Sequence, residues 1–540
     1  MRGRLLQECP HPARAFGARH PLPQEERLKE PNSCSTPFSL ARRGRLANVR
    51  AMTPTEPPQP IAVAAPPTSA APAPPALDNA SVRRIIFGIM LAMFLSALDQ
   101  TIVATALPAI GRELADVQNL SWVVTAYLLS ATAVTPLYGK LSDIHGRRTV
   151  LLAGIGVFIA GSVACALAQT MPALILARAV QGLGGGGLIA LAQTIIADVV
   201  SPRERARYQA HFGVVFATAN VAGAVLGGYS AEHLHWSLIF WVNVPLGLGA
   251  LAMTYRALAK LPQHQRPHRL DIIGAALMTA ATVTLLLSIT WGGSRYPWAS
   301  QTIVSLIGAS VALWVLFALR LATASEPFLP LSVLGNAVVR NATLAAFFGM
   351  GTLIGLSVYV PVYLQLVLGL SAGRSGLGLI PLFLCGVVGA TISGRAMVRT
   401  QRYKRLPLVG LSCGAAALAT LAAVPAGLPL AVVFALFAVV GLSIGSLFPV
   451  STVSLQNAVH PHQLGTATAV ANFFRQLGGA ILVAAFGAVL LGGAGLGGEQ
   501  GRAAELIARG GVDGGALAGA FRWIFAAAAC GLAASSCFFR

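Results

Sequence analysis

From Ile85 onward the chain keeps returning to apolar stretches of about 20 residues, separated by short segments that carry most of its charge. A stretch of that length, wound as an α-helix, spans a bilayer core of about 30 Å. Only 10% of the 540 residues are charged and 55% are hydrophobic, whereas soluble domains carry roughly 25% charged residues. Too little polar surface remains to face water. The chain is therefore expected to be an all-α polytopic membrane protein, with helices at about 85–110, 119–138, 149–168, 172–199, 208–230, 236–255, 271–291, 302–321, 341–368, 375–395, 406–424, 428–450, 466–491 and 517–537.

A formal net charge of +20 raises the question of a nucleic-acid partner, and the placement of that charge answers it. Close to the helix ends, Lys and Arg number roughly 20 on one side of the membrane and about 5 on the other. The rich side holds Arg83, Arg84, Lys140, Arg147, Arg148, Arg203, Arg205, Arg207, Arg399, Arg402, Lys404 and Arg405. The positive-inside rule assigns that side, and both termini, to the cytoplasm. The charge is a topology signal, and no nucleic-acid partner is expected. The seven cysteines form no C-x-x-C pair, so neither a disulfide framework nor a metal site is indicated.

Residues 1–84 are rich in Pro, Ala and Arg, a low-complexity tail that cannot build a core. Met52 is the expected start of translation. The segment 492–516 is rich in Gly. Between these lies a weak internal repeat: "GKLSDIHGRR" from Gly139 follows the second helix, and "GRAMVRTQRYKR" from Gly394 follows the tenth. The repeat implies a six-helix half at 85–256 and another at 336–537, with two inserted helices in 257–335. Two related halves around a central site are the usual build of secondary transporters.

In "RAVQGLGGGG" (178–187), Gly182, Gly184 and Gly187 match G-x-G-x-x-G. That pattern cradles a dinucleotide only after a strand, and here it lies mid-way along an apolar helix with no strand before it. Gly182, Gly185 and Gly186 are better suited to letting neighbouring helices approach closely in lipid. The chain also lacks G-x-x-x-x-G-K-[ST], H-E-x-x-H and G-x-S-x-G. No cofactor, metal or enzymatic activity is expected.

Among ionisable residues within the apolar spans, three stand out: Asp99, Arg178 and Arg475. Such residues are costly and usually face a bundle interior or a wet cavity. Gln181 shares a helix face with Arg178, and Asn472 and Gln476 share one with Arg475. Each polar stripe runs into a glycine, Gly185 or Gly479, so Gln181, Asn472, Arg475 and Gln476 are expected on a substrate cavity. Asp99 is a candidate proton carrier tuned by Arg178, or else half of a fixed ion pair holding two helices together. Trp241 and Tyr363 suit either a cavity wall or the interfacial aromatic belt.

Several motifs resemble those of the major facilitator superfamily. "GKLSDIHGRRTV" (139–150) is similar to its loop signature, at Gly139, Leu141, Asp143, Gly146, Arg147 and Arg148. "LDQTIVATALP" (98–108), "RAVQGLGGGG" (178–187), "GAVLGG" (223–228), "WVNVPLG" (241–247), "YLQLVLGLS" (363–371) and "NFFRQLGGA" (472–480) resemble the drug:proton antiporter branch with fourteen helices. Departures from that pattern stand at Ala104, Ala224, Ser237 and Val398.

The resemblance implies a major facilitator fold and proton-driven export of small amphipathic molecules across the cytoplasmic membrane by alternating access. No cofactor would be needed beyond the proton gradient, and the partners would be substrate, protons and the bilayer. Gly139, Asp143, Gly146, Arg147 and Arg148 would form a cytoplasmic conformational latch, and Gly182, Gly186, Gly223, Gly227 and Gly228 would pack helices in the antiporter motifs. Narrow-specificity export of one metabolite or antibiotic, and a non-transporting receptor on the same fold, are the alternatives.

Overall fold

In a computed structural model of the chain the apolar stretches are helices, and the described residues form no β-strand beyond one isolated bridge, Gly292 with Tyr296. The structure describes residues 79–539 apart from 117–118, 261–269, 294, 371–374, 376–377, 400–403 and 494–513. The N-terminal tail, the Gly-rich segment and part of the second basic loop thus lie outside the described residues. The long helices are α1 (Asn79–Glu113), α2 (Leu120–His145), α3 (Arg147–Ala166), α4 (Met171–Val199), α5 (Pro202–His233), α6 (Leu238–Arg256) and α7 (Ile272–Trp291). They continue as α8 (Gln301–Thr323), α9 (Ala337–Leu366), α10 (Leu379–Arg399), α11 (Arg405–Ala423), α12 (Leu430–Asn457), α13 (Leu464–Gly493) and α14 (Gly514–Phe539). Among the described residues, 13 helices are long and apolar enough to cross a membrane. The other, α2, is 26 residues long and packs against α3, α4, α7 and α13.

Helix starts are marked by side chains that accept from free backbone N–H groups. Asp271 accepts from Gly274 N at 3.0 Å to begin α7, and Asn336 accepts from Val338 N at 2.9 Å to begin α9. Apolar faces then assemble two cores. Ile89, Leu151, Ile195 and Phe212 centre one, built by helices of the N-terminal six. Leu356, Phe437, Phe521 and Phe525 centre the other, built by the C-terminal six. Helices α7 and α8 pack on each other, and α7 also rests on α2 and α13. The two sets of six meet along α2 with α13, α5 with α10 and α12, and α4 with α13.

Two spans are interrupted where the sequence suggests continuous helices. α4 divides into Met171–Gly185 and Leu188–Val199. Four consecutive glycines weaken the helix there, since glycine costs about 1 kcal/mol against alanine. Backbone carbonyls at the break meet side chains: the Thr135 hydroxyl donates to Gly186 O at 2.8 Å, and Ser96 donates to Gly185 O at 3.4 Å. Such substitution for lost backbone bonds is what lets a broken helix persist in lipid. α6 divides at Val242, which starts its second segment with Asn243. By contrast α5 runs unbroken through 32 residues, past Ala224.

The glycine motifs mark close approaches between helices. A Cβ on Gly186 would meet the Cα of Ala131 at 2.7 Å, and one on Gly182 would meet the Tyr127 carbonyl oxygen at 2.5 Å. Gly223 and Gly227 of α5 lie against Thr101, Ile102 and Thr105 of α1. The surroundings of Gly228 lie outside the described residues. Gly186→Ala should lower stability by about 1–3 kcal/mol through overpacking against α2 backbone. Gly308→Ala, with nothing within 4 Å of its Cβ position, should be neutral or gain up to about 1 kcal/mol of helix propensity. Thermal unfolding in detergent compares the two; equal melting temperatures would contradict the close α2–α4 contact.

Candidate functional site

The first polar cluster is enclosed within the N-terminal helices. Asp99 of α1 is 0% exposed and Arg178 of α4 is 1% exposed. Arg178 donates through Nη1 to Asp99 Oδ2 at 2.6 Å. Asp99 Oδ1 accepts from Gln181 Nε2 and from Asn243 Nδ2, both at 2.8 Å. Gln181 is a hub: its Nε2 also donates to Ser162 Oγ at 2.7 Å, and its Oε1 accepts from Arg178 at 2.5 Å. The guanidinium is further held by the Val123 carbonyl at 3.0 Å, and its Cζ lies 4.3 Å from the Tyr127 ring centroid. A buried pair of this kind balances a large desolvation cost with close geometry and added hydrogen bonds. Through these bonds Asp99 ties α1 to α4 and α6.

This geometry corrects one expectation and adds one residue. Gln181 was expected on a cavity wall; it is 0% exposed and belongs to the Asp99 cluster. The reason is that Asp99 needs donors on both oxygens once water is excluded. Asn243, which sequence reasoning did not single out, supplies one of them. Its position inside "WVNVPLG", at the break in α6, is the only signal that it offered. Tyr363, expected on a cavity or in the aromatic belt, does neither. It is 0% exposed, packs on Phe525 and donates to the Pro425 carbonyl at 2.6 Å. Trp241 is 40% exposed.

The second cluster sits where α2 turns into α3. Gly146 has φ of +87°, a left-handed conformation that glycine tolerates and that lets α3 start at the next residue. Asp143 accepts from Gly465 N at 3.2 Å, from Thr466 N at 2.8 Å and from the Thr466 hydroxyl at 2.6 Å. Its carboxylate therefore caps the N-terminus of α13, where the helix dipole favours negative charge. Arg147 bonds Asp143 and also donates to Asp198 at 2.9 Å. Gly139 lies beneath this contact; a Cβ there would meet Gly465 O at 2.6 Å. Arg148 points elsewhere, over the Tyr255 ring at 4.6 Å. Nearby Arg205 donates to Asn457 Oδ1 at 2.8 Å; burial lowers its affinity for the proton, and Asp198 opposes that shift.

The third cluster spans the seam between the two sets of helices. Arg475, 5% exposed, donates to Asn472 Oδ1 at 2.9 Å and to Thr452 Oγ1 at 3.0 Å. Asn472 donates across the seam to Gln193 Oε1 at 2.8 Å. Gln476 accepts from Thr132 at 2.9 Å and donates to Thr135 at 3.4 Å. Asn472 and Arg475, expected to line a cavity, are closed off here by the contact with α4. Gly479 packs on Ile354. Among the described residues, every side-chain hydrogen bond across the seam involves Thr132, Thr135, Asp143, Gln193 or Arg205 on one side. Thr135, Asp143, Gln193 and Arg205 lie toward the Asp143 end of the bundle and Thr132 lies at the middle of α2, so the seam is closed from its middle to that end.

Residues 89–483 match the model of the Major Facilitator Superfamily. An MFS-type transporter of Mycobacterium tuberculosis is 36% identical over 418 residues, 77% of this chain and 60% of that protein. The chain thus spans less than two thirds of that relative's length. The multidrug transporter protein MdtP of Bacillus subtilis is 33% identical over 406 residues, 75% of each chain. Among solved structures, the human organic anion transporter MFSD10 aligns with a TM-score of 0.61 at 16% identity, covering 85% of this chain and 99% of that one. The proton:xylose symporter XylE aligns with a TM-score of 0.58 at 16% identity, covering 86% and 96%.

Proposed function

The chain belongs to the major facilitator superfamily, and from that membership we propose that it is a proton-coupled antiporter exporting small amphipathic molecules across the cytoplasmic membrane by alternating access. The observation that carries the proposal is Asp99, a fully buried carboxylate on a membrane helix, bonded to Arg178, Gln181 and Asn243 on two others. A proton entering from outside neutralises Asp99 and loosens its hold on Arg178; release to the cytoplasm restores the pair. One charge moved through 100 mV is worth about 2.3 kcal/mol, enough to bias two conformations of similar energy. Asp143 at the N-terminus of α13 holds the cytoplasmic side shut in the outward-facing state. The kinship with proteins named for multidrug transport and resistance supports a drug-like cargo. No bound cofactor is required, since the gradient supplies the energy.

The test is flux in proteoliposomes with an imposed pH gradient and a panel of fluorescent amphiphiles spanning cationic, neutral and anionic probes. At least one probe should move against the direction of the protons and stop when an ionophore collapses the gradient. Binding without gradient-dependent movement of any probe, by protein shown to be folded, would contradict the proposal.

A further inference from the structure

Arg475 is a buried cation without an acidic partner. Residues 336–493 contain neither Asp nor Glu, and Arg475 enters no ion pair among the described residues. A guanidinium has five N–H donors. Here Nη1 and Nη2 reach Asn472 and Thr452, while Nε is buried with no partner. The same seam leaves Gln193 Nε2 and Gln456 Oε1 buried and unpartnered. Gln456 Nε2 donates to Gln193 O at 3.2 Å and Thr468 Oγ1 at 3.4 Å, so Arg475, Asn472, Gln193 and Gln456 are parts of one network. Beneath the guanidinium lies the Phe448 ring, 4.6 Å from Cζ.

Arg178 shows what a compensated membrane arginine looks like: its Nε bonds Val123 O and its Nη1 bonds Asp99. Native structures leave few buried polar groups unpaired, and each such group calls for a specific cause. The unmet donors on Arg475 and Gln193 both call for an acceptor, and the uncompensated charge of Arg475 calls for a negative one. Their location adds a second point. The network joins α4 to α12 and α13 across the seam, so parting of the halves at the Asp143 end would open Arg475 to the cytoplasm.

From these observations we infer that Arg475 and Gln193 form an anion site on the seam, which takes the carboxylate of an amphipathic cargo while Phe448 meets its apolar body. The inference rests on the export proposal only for the step that carries the anion across; binding itself does not. An anion that enters when the halves part removes the cost of reburying an unpaired cation when they close. Cargo binding thereby favours closure, and a cationic cargo is repelled.

The test is equilibrium binding to the detergent-purified full chain of a fluorescent amphiphilic carboxylate and its neutral methyl ester, with no gradient present. The acid should bind about tenfold or more tightly than the ester, as expected for charge-assisted hydrogen bonds to a buried guanidinium. Arg475→Gln should bring the two affinities together by weakening only the acid, and Arg475→Lys should keep part of the preference. Equal affinities in the unmodified protein would overturn the inference without reliance on any variant. So would an acid preference that survives Arg475→Gln. Loss of the preference on adding phosphatidylglycerol would assign the network to a lipid headgroup and overturn the cargo site. Acid preference without gradient-driven flux would defeat antiport and leave the site; flux with equal affinities would do the reverse.

Discussion

Asp99→Asn is expected to abolish gradient-driven export and to destabilise the protein by at least about 3 kcal/mol, because Arg178 would remain buried without its counter-charge. Adding Arg178→Met should recover most of that stability, since a buried ion pair replaced by neutral groups of similar size is often no worse than the pair. It should not recover export. The separation of the two readouts distinguishes a proton carrier from a helix clamp. A clamp can be replaced by apolar packing; a carboxylate that must gain and lose a proton cannot. Thermal unfolding in detergent and flux in liposomes, on the two single variants and the double, complete a double-mutant cycle. Normal export by the double variant would place the coupling group elsewhere. A double variant as unstable as the singles would show that the 2.6 Å pair is not the source of the loss.

Asp143→Ala is expected to shift the population toward states open at the end where α2 meets α13. The carboxylate accepts from Gly465 N, Thr466 N and the Thr466 hydroxyl, all of them across the seam. Hydrogen bonds to a charged group contribute about 1.5–3 kcal/mol each, so loss of even one shifts the equilibrium by roughly tenfold or more. Spin labels at His145→Cys and His460→Cys, both exposed positions flanking the contact, report the change in a cysteine-depleted background. The long-distance population should rise in Asp143→Ala. An unchanged distance distribution would mean that Gly139, Arg205 and the seam amides hold the closure without Asp143.

Length and polarity made the helices legible, because lipid demands long apolar runs and sorts Lys and Arg to one side. The Asp99–Arg178 pair was legible for the same reason: two opposite charges in apolar spans have few places to go but toward each other. Asn243 was not, since a neutral amide near a helix start carries no periodic signal and its value depends on where α6 breaks. Gln181 was assigned to a cavity from its helix face, yet which face looks inward depends on neighbouring helices. Tyr363 likewise has an amphipathic side chain, and only the Pro425 carbonyl across the fold determines where its hydroxyl goes. The break in α4 follows from the glycine run, but the run alone does not reveal that Thr135 will take up Gly186 O.

The most direct test of the coupling is reciprocal to the flux assay: proteoliposomes preloaded with a transported probe, a trapped pH indicator, and no initial pH gradient. Probe leaving down its own gradient should pull protons inward and acidify the lumen in the unmodified protein, and should cause no acidification in the Asp99→Asn/Arg178→Met variant. Probe efflux through the unmodified protein with the internal pH unchanged would contradict proton antiport.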